Sequence, residues 1–600
     1  MKKSEKTQHG ILSNVIYILK LMFSISPGLV IGEIVMQVVS QLPGRLVSVI
    51  GIKFIIDEAQ SGGDTKKILI GLAVIVFVLV AESVARGLFS ELYAFREYEN
   101  LHLGIHRRLY DKAVSLDLAS YDDASFYSDF ILAIETSSEN IRSILNVVKA
   151  YVSDIITFIT IASIILTIDP ICLVIVLVFV AAFIPVGKHT GNLQMQRREK
   201  ITEKHRKSDY FARLFYLPDY AGEIRMNSLT PLLLRRFRQS ADEIKETQKY
   251  YVKKIDFWFF VQSGVVQVIG FMLVLTAYIG YRTLVSHTMT AGDFVAAFNG
   301  AVQIGNSIMF LTVYAVRNFT ERSKMIEKYR VFLASEKHIE DGAHVAVCGE
   351  PETIELKNVG FSYTGSEKRA LENISMTIKP REKIALVGYN GAGKTTLTNL
   401  LLRLYDVSEG EILIGGRNIK EETVASHRDR FAAVFQDFKI FAGTVGENVA
   451  LDKDYDKERV LKALEAAGFE KHLPNGTETI LQREFDDEGM MLSGGESQKI
   501  TIARAFYKNC PYVIFDEPSA NLDPVSEYEL NRSMSEAAKE KTVIFISHRL
   551  STTRHADRIF MMEKGRIVES GTHEELMALD GKYAYMFKLQ AEKYQTTIDN

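Results

Sequence analysis

Two stretches in the second half of the chain carry side chains suited to phosphate chemistry. Ile384-Ala385-Leu386-Val387-Gly388 is a short apolar strand. It leads through Gly388-Tyr389-Asn390-Gly391-Ala392-Gly393-Lys394-Thr395 into an apolar-periodic helix from Thr396 to Leu404. This is G-x-x-x-x-G-K-[ST] in its required strand-loop-helix setting. Glycines allow successive backbone N–H groups to turn toward one anion, and the helix N-terminus adds its dipole. In such a loop Lys394 reaches the β/γ-phosphates of a nucleotide, and the Thr395 hydroxyl ligates Mg²⁺. A second apolar strand, Tyr512-Val513-Ile514-Phe515, ends in Asp516-Glu517. A carboxylate at the carboxyl end of a buried parallel strand suits a metal, and its neighbour suits polarising an attacking water. Asp516 is assigned to Mg²⁺ and Glu517 to the water.

These groups need a fold to position them, and the chain of 600 residues is too long for one core. Its 71 Lys+Arg nearly cancel 74 Asp+Glu, giving a net charge of -3. That balance excludes a polybasic nucleic-acid binder, and three cysteines over this length exclude a disulfide framework. The average hides a segregation. A bilayer core needs about 20 mostly apolar residues per helix. Six stretches of the first half qualify: Leu21–Val49, Ile68–Phe89, Val147–Ile168, Ile171–Val186, Phe257–Tyr281 and Phe294–Val316. Pro27 and Pro43 predict a kink in the first, and Ile168-Asp169-Pro170 a tight turn between the third and fourth. Basic residues crowd the connections after the second and fourth spans, Arg96, Arg107 and Arg108 in one and Arg197, Arg198 and Lys200 in the other. The positive-inside rule therefore places those connections and both termini in the cytoplasm of a multi-pass cell-membrane protein. Both connections have helical spacing and continue the spans outward. Each is interrupted once, at Leu116–Asp123 and at Leu217–Arg225. The expected division is a six-span domain over residues 1–335, a linker over 336–350 and a mixed α/β domain over 351–600.

Between the two phosphate stretches lies Leu492-Ser493-Gly494-Gly495-Glu496-Ser497-Gln498-Lys499, a backbone-rich turn that opens a helix. With the phosphate loop and the Asp-Glu strand, it makes the chain resemble an ATP-binding-cassette exporter over nearly its whole length. The implied fold is an all-α six-helix membrane domain joined to an α/β P-loop ATPase, with ATP and Mg²⁺ as ligands. Where this chain has Glu496 and Lys499, the family usually has Gln and Arg. Glu496 thus places a negative charge near a nucleotide. By the same resemblance Tyr363 stacks on adenine. Gln436, in Phe435-Gln436-Asp437, senses Mg²⁺ and serves catalysis, and His548 contacts the γ-phosphate. Asn390, Gly391, Gly393 and Thr396 belong to the nucleotide cradle with Gly388 and Lys394. Ala520-Asn521-Leu522-Asp523 matches the family's D-loop, with Ala520 and Asn521 replacing its usual Ser-Ala. Ser493, Gly494, Gly495 and Asp523 complete the nucleotide contacts. The resemblance implies a dimer, with the phosphate loop of one chain facing Ser493 of the other. A homodimer with two equivalent sites is the simplest arrangement, and a heterodimer is the alternative. The two interrupted segments then fall where exporters carry coupling helices.

The cargo is less marked. Asn299, Gln303 and Asn306 share one helix face of the sixth span, either lining a polar path or holding the bundle together. Glu82 and Arg86 stand at i,i+4, Gln262 and Gln267 lie in the fifth span, and Trp258 reads as an interfacial anchor. Tyr220-Ala221-Gly222-Glu223-Ile224-Arg225-Met226-Asn227, Phe435-Gln436-Asp437-Phe438 and Glu517-Pro518-Ser519 resemble half-size exporters of ribosomally made peptides such as lantibiotics. The expectation is therefore a peptide or other amphiphile, with no Cys/His peptidase domain before the first span. Drug or lipid export is the alternative, and an ATP-gated channel or sensor is a weaker one. A soluble cassette ATPase is excluded by the spans.

Overall fold

The computed structural model describes residues 9–595 apart from 123, 312–314, 365, 367, 519–539, 548–552 and 555. It divides into two compact units, Met1–Ala113 with Ser128–Ser335 and Val114–Tyr127 with Glu336–Asn600. The helices of the first half are α1 (Ile11–Ile25), α2 (Pro27–Gln60), α3 (Thr65–Ser115), α4 (Leu118–Tyr121), α5 (Ala124–Ile168), α6 (Pro170–Tyr216), α7 (Pro218–Met226), α8 (Thr230–Leu284), α9 (Ala291–Met309) and α10 (Ala315–Leu333).

Among the described residues five helices are long and apolar enough to cross a membrane, carried by α2, α3, α5, α6 and α8. The sixth expected span falls on α9 and the residues after it. The polar Asn299, Gln303 and Asn306 lower the hydropathy of α9, and its continuation runs into the undescribed 312–314. The first expected span is divided rather than merely kinked. Leu21 to Ile25 ends α1, and Pro27 opens α2 at a position where its missing N–H costs nothing. Pro43 lies inside α2 and is followed by a π-helical turn, Val47–Gly51, where the i→i−4 ladder is broken. At the expected tight turn, the Asp169 carboxylate accepts from Ile171 N at 2.9 Å, and Pro170 begins α6. α6 runs 47 residues, about 70 Å at 1.5 Å per residue and far beyond a bilayer core.

The faces of these helices divide by polarity. Phe77, Val76, Val80 and Leu69 of α3 are exposed, as lipid-facing side chains are. Inside the bundle, Arg45 donates to Asp154 at 2.8 Å, to Ser307 at 3.1 Å and to Gln41 at 3.0 Å. Glu33 accepts from Lys149 at 2.5 Å and from Tyr98 at 3.0 Å. Every ion of these clusters has a partner, as burial in a low-dielectric interior demands. Asn299 donates to the Ser48 carbonyl at 2.9 Å and Gln303 to the Ser48 hydroxyl at 2.7 Å, so both tie α9 to α2. Glu82 and Arg86 pair along α3. Trp258 packs against His189, with ring centroids 4.7 Å apart.

Among the described residues the second unit holds two larger sheets and a two-stranded antiparallel ribbon, β7 (Gly443–Thr444) with β8 (Ile480–Leu481). The larger has the order β12-β11-β3-β10-β9-β6, built from β3 (Lys383–Gly388), β6 (Phe431–Val434), β9 (Tyr512–Asp516), β10 (Thr542–Ile546), β11 (Arg558–Glu563) and β12 (Arg566–Gly571). All its pairings are parallel except β11 with β12. β3, β9 and β10 read as continuous apolar runs because both faces are covered. The smaller sheet is antiparallel, β2-β1-β4-β5, from β1 (Ile354–Phe361), β2 (Leu371–Ile378), β4 (Glu409–Ile414) and β5 (Arg417–Asn418). Helices α11 (Lys394–Leu401), α12 (Lys457–Ala466) and α13 (Gly494–Lys508) carry or flank the chemistry.

The turn between α3 and α5 belongs to this second unit, not to the helical unit its sequence neighbours form. Its Asp117 is buried and accepts from the backbone N–H groups of His338 and Ile339 at 2.6 and 2.8 Å. Tyr405 donates to Asp122 at 2.7 Å, and burial together with that carboxylate pushes the Tyr405 phenol well above its ordinary pKa. Ala119 of α4 packs against the same apolar cluster as Tyr363. The fully buried Arg403 donates to the carbonyls of Glu422 and Glu340 at 2.5 and 2.7 Å, fastening the 336–350 segment to this unit.

Candidate nucleotide site and signature turn

β3 ends at Gly388, whose φ of +152° and surroundings admit no side chain: a Cβ there would stand 2.3 Å from the Met562 carbonyl oxygen. Gly393, at φ +103°, precedes α11 directly, and a Cβ on it would meet Leu371 at 2.6 Å. Between them the loop wraps the Lys394 side chain. Its Nζ donates to the Gly388 and Tyr389 carbonyls at 2.8 and 3.3 Å, which places an ammonium at the centre of the loop. Lys394 is buried, and that burial lowers its pKa against the opposing charges of Glu517 and Asp516.

Asp516 closes β9 with a buried carboxylate, and the Thr395 hydroxyl in the first turn of α11 donates to it at 3.4 Å. Burial first, then the neighbouring Glu517 charge, push its pKa up to about 6. Glu517 sits at φ +50°, in the left-handed region that side chains other than glycine seldom adopt. Two neighbours hold it there. Its N–H donates to Ile546 O of β10 at 2.9 Å, and Gln498 of α13 donates to its carbonyl at 3.3 Å. The strand ends thus present two adjacent carboxylates beside a hydroxyl and an ammonium. This is a hard-oxygen donor set in which a divalent cation relieves the repulsion that raises Asp516, so Mg²⁺ fits the residues present.

Lys394, Thr395 and Glu517 open on one cavity of about 910 Å³, whose walls do not include Gly388 or Asp516. Its walls include Tyr363, Asn390, Gly391, Gly393, Lys394, Thr395, Thr396, Gln436 and Glu517. The Tyr363 hydroxyl lies 3.0 Å from the Thr396 hydroxyl, and its ring stands edge-on to Phe361 and Tyr405 at 4.9 and 5.4 Å. Two lysines missing from the sequence reading, Lys368 and Lys564, also line the cavity. Lys564 belongs to the β11–β12 hairpin, and an ordinary Lys-Gly turn gives no signal that it will face a loop 170 residues earlier. Arg369 lines the wall too, and pairs with Glu409 at 2.8 and 2.7 Å.

Ser493, Gly494 and Gly495 are not among the residues lining this cavity. Ser493 is the N-cap of α13, with a reciprocal capping box to Glu496, and Gly494 and Gly495 form the first helical positions. Asp523, with Ala520, Asn521 and Leu522, and His548 lie outside the described residues.

Residues 371–520 match the family model described as ABC transporter. The ATP-dependent lipid A-core flippase of Methylobacillus flagellatus is 39% identical over 313 residues, covering 50% of this chain and 52% of that protein. The one from Paraburkholderia xenovorans is 43% identical over 246 residues, covering 40% of each. The one from Salmonella typhimurium is 34% identical over 336 residues, covering 55% of this chain and 57% of that protein. The chain thus spans about half the length of the curated relatives it matches. Among solved structures, a bacterial Atm1-family ABC exporter with ATP bound superposes with a TM-score of 0.79 at 22% identity, covering 94% of this chain and 100% of that one. Residues 371–520 thus match the ABC transporter family model, and the chain shares the fold of the solved ABC exporter, a set of long apolar helices followed by an α/β unit on one polypeptide.

Proposed function

We propose that this chain is one half of an ATP-driven exporter that moves a lipid-like amphiphile out of the cytoplasmic side of the membrane. The observation that carries it is the convergence of Lys394, Thr395, Gln436, Glu517 and Tyr363 on one cavity at the carboxyl ends of a parallel sheet. In this reading Tyr363 stacks on the base. Lys394, Thr396 and the amides from Gly388, Asn390, Gly391 and Gly393 hold the phosphates. Thr395, Asp516 and Gln436 would hold Mg²⁺, which supplies charge neutralisation at the transferred phosphoryl group. Glu517 orients and polarises the attacking water, and His548 contacts the γ-phosphate. Positioning and charge, not covalent chemistry, account for the rate.

The placement of the Ser493–Glu496 turn supports reading the working unit as a dimer. Ser493, Gly494 and Gly495 do not line their own chain's cavity, so in this reading they serve the nucleotide of a second chain, a homodimer being the simplest case, and the family resemblance assigns Asp523 to the same contact. The two coupling segments differ in the same sense. α4 packs with its own cassette, whereas α7 exposes Tyr220 and Met226, surface suited to a second copy. The membrane domain over 1–335 and the cassette over 351–600, joined by 336–350, are then the working parts. Both termini and the cassette are cytoplasmic.

The names of the relatives favour the lipid alternative over the peptide reading. Reconstituted in liposomes, the protein should show ATPase activity stimulated several-fold by lipids with large anionic headgroups and little by linear peptides. Stimulation by peptides alone would restore the peptide cargo, and a drug-only response would indicate a multidrug pump.

A further inference from the structure

Glu496 is the charge that does not suit a phosphate site. It follows Ser493-Gly494-Gly495, whose hydroxyl and amides would meet the terminal phosphate of a nucleotide held by a second chain. A carboxylate there opposes the anion it should help to bind. The structure places a compensating cation on it. Lys471, in the segment after α12, donates from Nζ to Glu496 Oε2 at 2.8 Å and to the Met491 carbonyl at 3.1 Å. The same Oε2 accepts from Ser493 N at 2.8 Å, and the Ser493 hydroxyl accepts from Glu496 N at 3.3 Å. One oxygen thus joins the lysine to the N-cap of α13. Both side chains are about one-third exposed, 31% for Lys471 and 29% for Glu496, so solvent alone does not screen the pair. The hydrogen bonds from Lys471 and Ser493 hold the Glu496 carboxyl below its ordinary pKa despite burial, so it is ionised at neutral pH.

We infer that Lys471 is a charge-compensating residue of the signature turn, cancelling Glu496 so that Ser493, Gly494 and Gly495 can bind the terminal phosphate of the partner's nucleotide. The inference rests on the exporter reading above. It also accounts for how the chain tolerates Glu where the resembled family has Gln: either residue completes the capping box with Ser493, but only Glu requires a cation beside it. A purely structural Lys471–Glu496 pair would instead contribute the small stabilisation of a partly exposed ion pair and leave turnover alone.

The full-length protein in nanodiscs separates these roles. In Lys471→Met, kcat/KM for ATP should fall at least about tenfold, on the scale of one lost electrostatic contact to a reacting phosphate. Binding of a fluorescent ATP analogue at the chain's own phosphate loop should change less than about twofold. The double variant Lys471→Met/Glu496→Gln keeps the cap and removes the uncompensated charge, and its kcat/KM should return to within about threefold of wild type. Turnover of Lys471→Met within twofold of wild type would overturn the inference, as would a double variant as impaired as the single one. If Lys471→Met loses nucleotide binding through misfolding, Lys471→Arg and Lys471→Gln replace it, with retained turnover expected only for Arg; equal turnover in both would overturn the inference. A wild type that neither binds nor hydrolyses ATP would overturn the exporter reading itself, and this inference with it.

Discussion

The Glu517→Gln protein is expected to bind ATP within about threefold of wild type and to hydrolyse it at least about 100-fold more slowly, the usual contribution of a positioned general base. The argument is local. Glu517 is held at φ +50° by the hydrogen bonds from its N–H to Ile546 and from Gln498 to its carbonyl, and Gln at that position keeps both. What the substitution removes is the carboxylate's ability to draw a proton from water. It also removes the neighbouring charge that, after burial, raises Asp516, so that acid becomes easier to ionise. The measurement is steady-state phosphate release beside equilibrium ATP binding on the same preparation. Wild-type turnover would remove Glu517 from its role and shift attention to residues outside the described segments, His548 first.

Lys394→Ala is expected to act on the other half of that pair of measurements, lowering ATP affinity about a hundredfold, or ~3 kcal/mol, as loss of a charge-assisted phosphate contact does. In the structure the Lys394 ammonium is already at the centre of the loop, donating to the Gly388 and Tyr389 carbonyls, and its burial makes it costly to keep charged without an anion. The glycine positions that shape the loop stay intact in the variant, so the change reports the charge and not the backbone. Titration of a fluorescent ATP analogue checks it. Retained affinity would mean that Lys368 and Lys564, the two further lysines on the cavity wall, neutralise the phosphates instead.

Much of this site is written in local sequence. A phosphate loop needs glycines at set intervals after a buried strand, and the run from Ile384 to Thr395 shows them directly. Asp516-Glu517 is legible for the same reason, because an apolar run ending in two acids has few structural explanations. What cannot be read locally is what distant segments contribute. Lys564 reaches the cavity only because β11 pairs with β3, and Lys471 meets Glu496 only because the segment after α12 folds against α13. The positive φ of Glu517 has no sequence signature at all. In the membrane half, apolar length located the spans, but Pro27 proved to be a helix start and the polar stripe of α9 weakened the sixth. Asn299 and Gln303 then proved to be bonded to Ser48, which is helix-to-helix attachment. The turn from Val114 to Tyr127 shows the limit most clearly. It lies within the helical half by sequence yet packs with the cassette, through Asp117 on His338 and Ile339 and through Asp122 on Tyr405.

The central claim is that ATP turnover at the cavity around Lys394 and Glu517 drives movement of a lipid-like substrate across the membrane. Its most direct measurement is ATP-dependent translocation in sealed proteoliposomes, with the cassettes facing outward and a labelled anionic lipid followed by its protection from an impermeant quencher. The account predicts time-dependent protection with ATP for the wild type and none for Glu517→Gln. Equal protection with and without ATP, or equal protection in the two proteins, would contradict it.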